Sequence, residues 1–196
     1  MNYLTKKSVN LNGQDIVLSP FDVDFAHRTV MLTGEIDEET ATIINSALRT
    51  LARDSKDDIT IYIQSPGGSV SAGFSIYDTI KALGCNVSTV ACGMVASMGA
   101  FLLAAAGSKG MRWCQPNAEV LIHQPLGVTS GQATDIRIHA EHILKVRARL
   151  NKILAEATGK SEETIEMDTE RDNIMSAEEA LEYGLVDRIG DPVSEV

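Results

Sequence analysis

The sequence lacks any apolar run long enough to cross a membrane. Its longest run of small apolar residues covers only 100–106, whereas a spanning helix needs about 20 residues. Two lysines lie near the N-terminus, but no apolar segment follows them, so we expect no secretory signal peptide. These absences lead us to expect a cytoplasmic protein.

Cysteine is scarce, with three residues in 196 and no C-x-x-C pair. An odd number of thiols without metal-ligand spacing indicates reduced, buried side chains rather than a disulfide framework or a zinc site. The three are Cys85, Cys92 and Cys114. Cys114 precedes a histidine by nine residues, but its place between Trp113 and Gln115 is typical of a strand. We therefore interpret Cys114 as a structural thiol rather than a nucleophile.

Positive charge is also in short supply, since 17 lysines and arginines face 27 acidic residues and the net charge is -10. Nucleic acids and anionic membranes attract basic surfaces, so both are disfavoured as main partners. Repeats, low-complexity tracts and Pro/Gly/Ser linkers are absent as well. We predict one domain over 1–196, with the weakly patterned, polar residues 1–20 as an N-terminal arm.

What the sequence does contain is an alternation of short β-rich runs with helical patterns. It predicts strands at 28–32, 59–63, 87–92 and 120–122, and helices at 37–54, from 70 to about 83, from 97 onward and at 132–158. Asp37 can cap the first of these helices, and Gly93 is expected to turn the chain. The alternation favours an α/β domain with a largely parallel sheet. Functional residues are then expected where strands end, in the loops 65–69, 93–97 and 123–130.

The helix predicted over 132–158 would be about 40 Å long, more than a small domain requires. One apolar stripe recurs at intervals of three and four, formed by Ile136, Ala140, Ile143, Val146, Leu150 and Ile153. The pattern alone leaves two interpretations open. The helix either crosses the core or protrudes and packs against another subunit.

Ser97 is a candidate nucleophile, because it lies where a buried strand gives way to a helix. A serine hydroxyl needs a base, an orienting group and amide donors for the oxyanion. The N–H of Met98 would lack a helical partner in the first turn, and the paired glycines of Ser65–Ser69 could supply a second donor, foremost Gly68. A capping serine and an ordinary tight turn remain the alternatives. Val95 rules out the G-x-S-x-G elbow.

His123 ends an apolar strand and is well placed to act as a base near pH 7. The alternative is a hydrogen-bonded histidine at the edge of the core.

His139 and His142 fall among charged residues of the long helix, so we expect them at the surface. Asp172 is one of many acidic residues, and chemistry alone does not select it.

Taken together, the ordered segments resemble the Clp proteolytic subunit (ClpP) family. Any one segment is a weak signal, but their order from about residue 28 to 187 is specific. The matching stretches are Ser65–Val70, Ala72–Gly73, Ser75–Thr79, Ala96–Leu103, Ile122–Gly127, Gly131–Ile136, Asp168–Asp172 and Ala180–Asp187. The resemblance implies a crotonase-like ββα-superhelix with a protruding handle helix in the region 128–160.

The resemblance also implies an activity, that of a serine endopeptidase that degrades unfolded polypeptides through an acyl-enzyme. The family's nucleophile aligns with Ser97, its base with His123 and its acid with Asp172. Its oxyanion amides align with Gly68 and Met98. No cofactor or metal is implied.

In the family, the handle stacks two seven-subunit rings into a closed tetradecamer that serves protein quality control. Gln132, Glu170 and Arg171 resemble or lie near its ring-to-ring contact residues. An AAA+ unfoldase would supply the ATP dependence, because in this chain Leu154 stands where the first glycine of a P-loop must be.

Two regions depart from the family pattern. The stretch 21–27 and the arm before it are unlike those of relatives. In the partner-docking groove, Thr60 and Gln115 replace more apolar residues, whereas Tyr62 and Trp113 keep the usual character. The catalytic set is intact, but these departures disfavour pairing with a standard unfoldase and indicate a specialised paralogue of the family.

Two other functions remain as alternatives to a peptidase. A crotonase-type acyl-CoA enzyme would use similar glycine-rich oxyanion loops and would need no serine nucleophile. A non-catalytic ring subunit would modulate an active partner, and the complete Ser/His/Asp set disfavours it.

Overall fold

The computed structural model describes residues 7–11 and 14–195. Its helices and strands alternate along most of the chain. In chain order they are β1 Lys7–Leu11, β2 Gln14–Leu18, α1 Pro20–Ala26, β3 Thr29–Thr33, α2 Glu38–Asp54, β4 Ile59–Ser65, α3 Val70–Ala82, β5 Val87–Ala96, α4 Met98–Phe101, β6 Arg112–Cys114, β7 Glu119–Ile122, α5 Ala133–Thr158, α6 Glu162–Asp168, β8 Asn173–Met175, α7 Ala177–Tyr183 and β9 Arg188–Ile189. A π-helical turn, Leu102–Ala106, follows α4, and Pro192–Glu195 forms a 3-10 turn.

The main sheet is parallel along the path β3-β4-β5-β6-β9. The last residues of β5 leave β6 and pair instead with β7, and β8 adds antiparallel to β7. The α/β class predicted from the sequence is therefore confirmed. Most of the sheet supports the core, while the β7–β8 pair extends it at the carboxyl end of β5.

The core lies where α2 and α3 cover the sheet. In β4, Ile59, Ile61 and Ile63 are fully buried and alternate with partly exposed residues, as expected for a strand with one face in the core. Leu48 of α2 and Ile76 of α3 are equally buried and belong to the same cluster. Such continuous burial fixes the ends of the strands, on which the functional loops are built.

Helix α5 protrudes at its N-terminal end. Of its 26 residues, the buried ones are Asn151, Leu154 and Ala155, all near the C-terminus. Ile138 and Leu144 are 52% and 61% exposed. The structure thus excludes a helix that crosses the core over its whole length, because the N-terminal half lies outside the core, while packing against another subunit stays a prediction.

One local prediction is wrong. Gly93 does not end the strand, because β5 continues to Ala96 and bulges between its pairings with Ile63 and Ser65. Gly93 has φ 58°, so the glycine permits the bulge rather than a turn. In addition, β1 and β2 pair as an antiparallel hairpin, which the weak pattern of residues 1–20 did not predict.

No helix among the described residues is long and apolar enough to cross a membrane.

Candidate active site

Ser97 lies between β5 and α4 in a backbone conformation that serine rarely adopts. Its φ is 55° and its ψ is -119°, and Arg28 is the other described non-glycine residue with positive φ. The amide of Ser97 donates to the carbonyl oxygen of Leu121 at 2.8 Å, which holds this strained turn against β7. Its side chain makes no capping hydrogen bond. Helix capping therefore does not account for this serine.

The glycine-rich loop after β4 lies directly against Ser97. A Cβ atom placed on Gly67 would stand 2.7 Å from Ser97 Cβ and 2.9 Å from the Met98 nitrogen. A parallel β-bridge to Ile36 fixes the loop. The Ile36 amide donates to the carbonyl oxygen of Gly67 at 2.8 Å, and the Ile36 carbonyl oxygen accepts from the Ser69 amide at 2.7 Å. Only glycine allows the two segments to approach this closely.

Two backbone amides in these two segments donate to no acceptor among the described residues. Met98 opens α4, where the first N–H groups lack helical partners. The amide of Gly68 donates to none of the described residues. An oxyanion needs donors of this kind, fixed in place before the reaction begins.

His123 and Asp172 are brought together by the β7–β8 pair. Ile122 is the register partner of Asn173, so the next positions outward, His123 and Asp172, stand opposite each other. His123 Nδ1 lies 3.0 Å from Asp172 Oδ1. An ionised carboxylate only accepts hydrogen bonds, so Nδ1 carries the proton and Nε2 is left free to act as a base.

Ser97 and His123 line one pocket between the end of β7 and the base of α5. Apolar side chains form most of the remaining wall, and the lining is completed by Val70, Met98, Phe101, Ile122, Pro125, Leu150, Asn151, Leu154 and Thr169. Asp172 does not line this pocket and lies with His123 in the adjoining one. The serine and the imidazole thus share a largely apolar pocket, while the carboxylate contacts the imidazole from the adjoining pocket.

A family model described as Clp protease matches residues 13–193. The chain belongs to the Clp protease family. This match covers nearly the whole sequence and confirms the family that the sequence motifs resemble. The chain is accordingly assigned to a family of peptidases, with the mixed α/β fold expected for it.

The ring-contact residues named from the Clp resemblance occupy two separate places. Glu170 and Arg171 adjoin Asp172, whereas Gln132 caps the exposed start of α5 without a side-chain capping bond. The carboxylate of Glu170 already pairs within the chain, 2.9 Å from Arg147 Nη2. The sequence did not single out Arg147, because its partners lie about 20 residues away on another element.

The residues named as the docking groove of this Clp subunit lie on one face of the sheet. Tyr62 and Trp113 share a register row across β4, β5 and β6, and Thr60 and Gln115 are each two residues from one of them. Tyr62 Oη and Gln115 Nε2 donate to the two carboxylate oxygens of Asp191, at 2.6 and 2.9 Å. Burial and this carboxylate raise the pKa of Tyr62 above its ordinary value.

Asp191 therefore sits in the middle of the predicted groove, and the sequence did not identify it. It is one acidic residue among many, and its contacts with Tyr62 and Gln115 join positions 129 and 76 residues apart in the sequence. Trp113 is 6% exposed, and the Arg188 guanidinium lies 5.0 Å from its ring centroid. The residues of the predicted groove are thus joined by polar and charged groups.

The thiols lie apart from Ser97 and His123. Cys114 is fully buried, and burial raises the pKa of its thiol to about 11. This confirms that Cys114 is a buried structural thiol. Cys85 and Cys92 are only half-buried, which corrects the expectation that all three would be buried. Burial raises the pKa of Cys92, too, to about 11.

Proposed function

We propose that this Clp-family chain is a serine endopeptidase in which Ser97, His123 and Asp172 form the catalytic triad. The observation that carries the proposal is the 3.0 Å contact between His123 and Asp172 at a pocket that Ser97 also lines. The strained backbone of Ser97 supports it, because such strain is typical of active-site residues.

The mechanism follows from the roles of the side chains. Asp172 holds the Nδ1–H of His123, so that Nε2 takes the proton of Ser97 as its Oγ attacks the scissile carbonyl. The N–H groups of Met98 and Gly68 hold the oxyanion. Collapse breaks the C–N bond as His123 returns the proton to the leaving amine, and water then hydrolyses the acyl-enzyme by the same path.

The substrate we propose is an unfolded polypeptide. The pocket beside Ser97 has an apolar wall, which suits a side chain that a folded protein would bury. An extended chain can also expose its backbone to the glycine-rich loop. Acyl-CoA thioesters, the substrates of the crotonase-type alternative, need no serine nucleophile, and the position of Ser97 therefore favours the peptidase.

We further propose that residues 1–196 form one peptidase domain that assembles with itself through the handle region 128–160. The exposed apolar side chains of α5, among them Ile138 and Leu144, support packing against a second copy. Stacked seven-subunit rings would enclose the site, and a separate ATP-driven AAA+ unfoldase would feed it. That partner would dock at a groove formed by Thr60, Tyr62, Trp113 and Gln115. Residues 1–20 would form an N-terminal arm of the domain. We propose that the assembly works in the cytoplasm.

The test of the nucleophile is covalent labelling. A fluorophosphonate should phosphonylate Ser97 Oγ with loss of fluoride, and mass spectrometry of the digested protein should locate the adduct. Ser97→Ala should abolish labelling and lower peptide cleavage by about 10⁴-fold or more. Ser46→Ala, at an exposed serine of α2, is the matched control and should keep both.

The alternatives predict other results. An acyl-CoA enzyme would bind acyl-CoA in calorimetry and would keep its activity in the Ser97→Ala variant. A non-catalytic subunit would be neither labelled nor active alone, and would change the rate only of a co-expressed homologue. Either result would overturn the serine-peptidase proposal.

A further inference from the structure

Gln124 connects the segment of the proposed base to the segment of the proposed orienter. It directly follows His123, and its backbone amide donates to the carbonyl oxygen of Thr169 at 2.6 Å. Its side-chain Nε2 donates to the carbonyl oxygen of Glu170 at 2.9 Å. One residue thus binds two consecutive carbonyls, just ahead of Asp172.

Asp172 needs such support because little else holds it. Its side chain is 67% exposed, and the bond to His123 is the one side-chain hydrogen bond that it makes to the described residues. Residues 169–172 lie between α6 and β8 and belong to neither a helix nor a strand. A segment of this kind keeps its conformation only through the contacts of its neighbours.

The position of Glu170 is fixed from two sides. Gln124 binds its carbonyl oxygen, and Arg147 of α5 binds its carboxylate at 2.9 Å. The Arg147 side chain is only 18% exposed, so its own position is well defined by packing. Because Glu170 is fixed in this way, the backbone at Asp172, two residues further along the chain, is restricted as well.

We infer that Gln124 is a positioning residue of the triad, which holds residues 169–172 so that the Asp172 carboxylate meets His123 Nδ1. The inference rests on the proposed function, because it gives Gln124 a role only if His123 acts as the base. Gln124 does not touch the substrate pocket, and its effect on the reaction passes through Asp172.

The first variant to measure is Gln124→Met. Methionine keeps the length of the side chain and removes its N–H donors, while the backbone bond to Thr169 remains. Since one hydrogen bond is worth about a factor of ten in an equilibrium, we expect the fluorophosphonate to label Ser97 about tenfold more slowly. Asn86→Leu is the control, because it removes a 3.0 Å bond from an amide to a carboxylate, that of Asp58, just before β5. It should label at the wild-type rate.

A double-mutant cycle separates positioning from mere stability. In an Asp172→Asn background, the Gln124→Met change should slow labelling by less than about twofold, because the carboxylate that Gln124 positions is gone. A purely structural role would produce the same tenfold loss in both backgrounds, and that result would overturn the inference. Thermal unfolding of all four proteins verifies that each is folded in the assay.

Failure of the inference and failure of the proposed function give different results. If the wild type is not labelled at Ser97, or if Asp172→Asn labels at the wild-type rate, the triad itself is wrong. If the wild type is labelled at Ser97 and Asp172→Asn labels more slowly, but Gln124→Met still labels at the wild-type rate, only the role of Gln124 is wrong.

Discussion

His123 and Asp172 stand opposite each other one step beyond the last register pair of β7 and β8, with Nδ1 and Oδ1 3.0 Å apart. The antiparallel ladder sets which residues face each other. The proposed base and orienter therefore come from one two-stranded unit, although they are 49 positions apart in the sequence. Ser97 reaches the same unit through its backbone bond to Leu121 of β7.

The first prediction concerns this pair. Asp172→Asn should lower the turnover of an unstructured peptide by about 10⁴-fold, because an amide can donate to Nδ1 and stabilise the wrong imidazole tautomer. Peptide hydrolysis measures the loss, and thermal unfolding should change little because Asp172 is exposed. Asp54→Asn, at the end of α2, is the control and should keep the wild-type rate. Retention of turnover within about threefold by Asp172→Asn would contradict the proposed role.

The second prediction uses two glycines that share a positive φ but differ in their surroundings. Gly67 has φ 93° and Gly34 has φ 82°, and an added Cβ at Gly34 would meet nothing within 4 Å. Gly34→Ala therefore measures conformational strain alone, about 1 kcal/mol. Gly67→Ala adds a clash with the backbone of Met98, so it should destabilise the protein by at least about 2 kcal/mol and abolish labelling of Ser97.

Urea unfolding and fluorophosphonate labelling of the two glycine variants measure these effects separately. If both variants lose the same stability and both are labelled at the wild-type rate, close approach of the loop to Ser97 is not required for activity.

Much of this fold could be predicted from the sequence because its signals are local. The cap at Asp37, the strand that ends at Ile122 and the long helix that ends at Thr158 each depend on residues within a few positions. Local propensity and periodicity are sufficient for such elements. The turn at Ser97 was also predictable, since a buried strand precedes it and small residues follow it.

The parts that could not be predicted depend on contacts between distant segments. β8 has only three residues, too few for a pattern, so nothing local marks Asp172 as the partner of His123, and only the family resemblance selected it. The sequence also does not predict the contacts of three other polar residues, because the topology of the fold sets their partners. These residues are Gln124, Arg147 and Asp191. Hydrogen bonds of this kind leave no periodic signal.

The third prediction concerns the thiols. Because burial raises the pKa of Cys114 to about 11 and its side chain is fully buried, less than about 1% of it is thiolate at pH 8 and iodoacetamide cannot reach it. Mass spectrometry should find Cys114 alkylated only after unfolding in denaturant, whereas peptide cleavage should survive treatment of the native protein. Stoichiometric labelling of native Cys114 with loss of activity would instead support a cysteine nucleophile.

The fourth prediction concerns the ion pair of Arg112 and Asp187, whose side chains are 7% and 17% exposed and 2.6 Å apart. Arg112 also donates to the carbonyl oxygens of Ala104 and Ala157, so the pair joins the π-helical turn to the end of α5. Asp187→Asn leaves a buried guanidinium without its counter-charge. We expect a loss of about 3 kcal/mol in unfolding free energy at pH 7.

The same pair predicts the sign of a pH dependence. Burial acts to raise the pKa of Asp187, but the hydrogen bonds and charge of Arg112 outweigh it, so the pKa lies below its ordinary value. The unfolded chain then binds the proton more readily than the folded one. The stability that Asp187 contributes is complete above the unfolded pKa of about 4 and is lost as the pH falls through the folded pKa.

Urea unfolding of wild type and Asp187→Asn between pH 7 and the acid limit measures this contribution. The difference between the two should be constant at neutral pH and should shrink below about pH 4, because the unfolded wild-type chain then binds a proton at Asp187 and in stronger acid the folded chain binds one too. The control is Glu141→Gln in the exposed Arg137–Glu141 pair, 66% and 54% exposed, which should change stability by less than about 0.5 kcal/mol. A difference for Asp187→Asn that is unchanged in acid would mean that packing, rather than charge, makes this residue important.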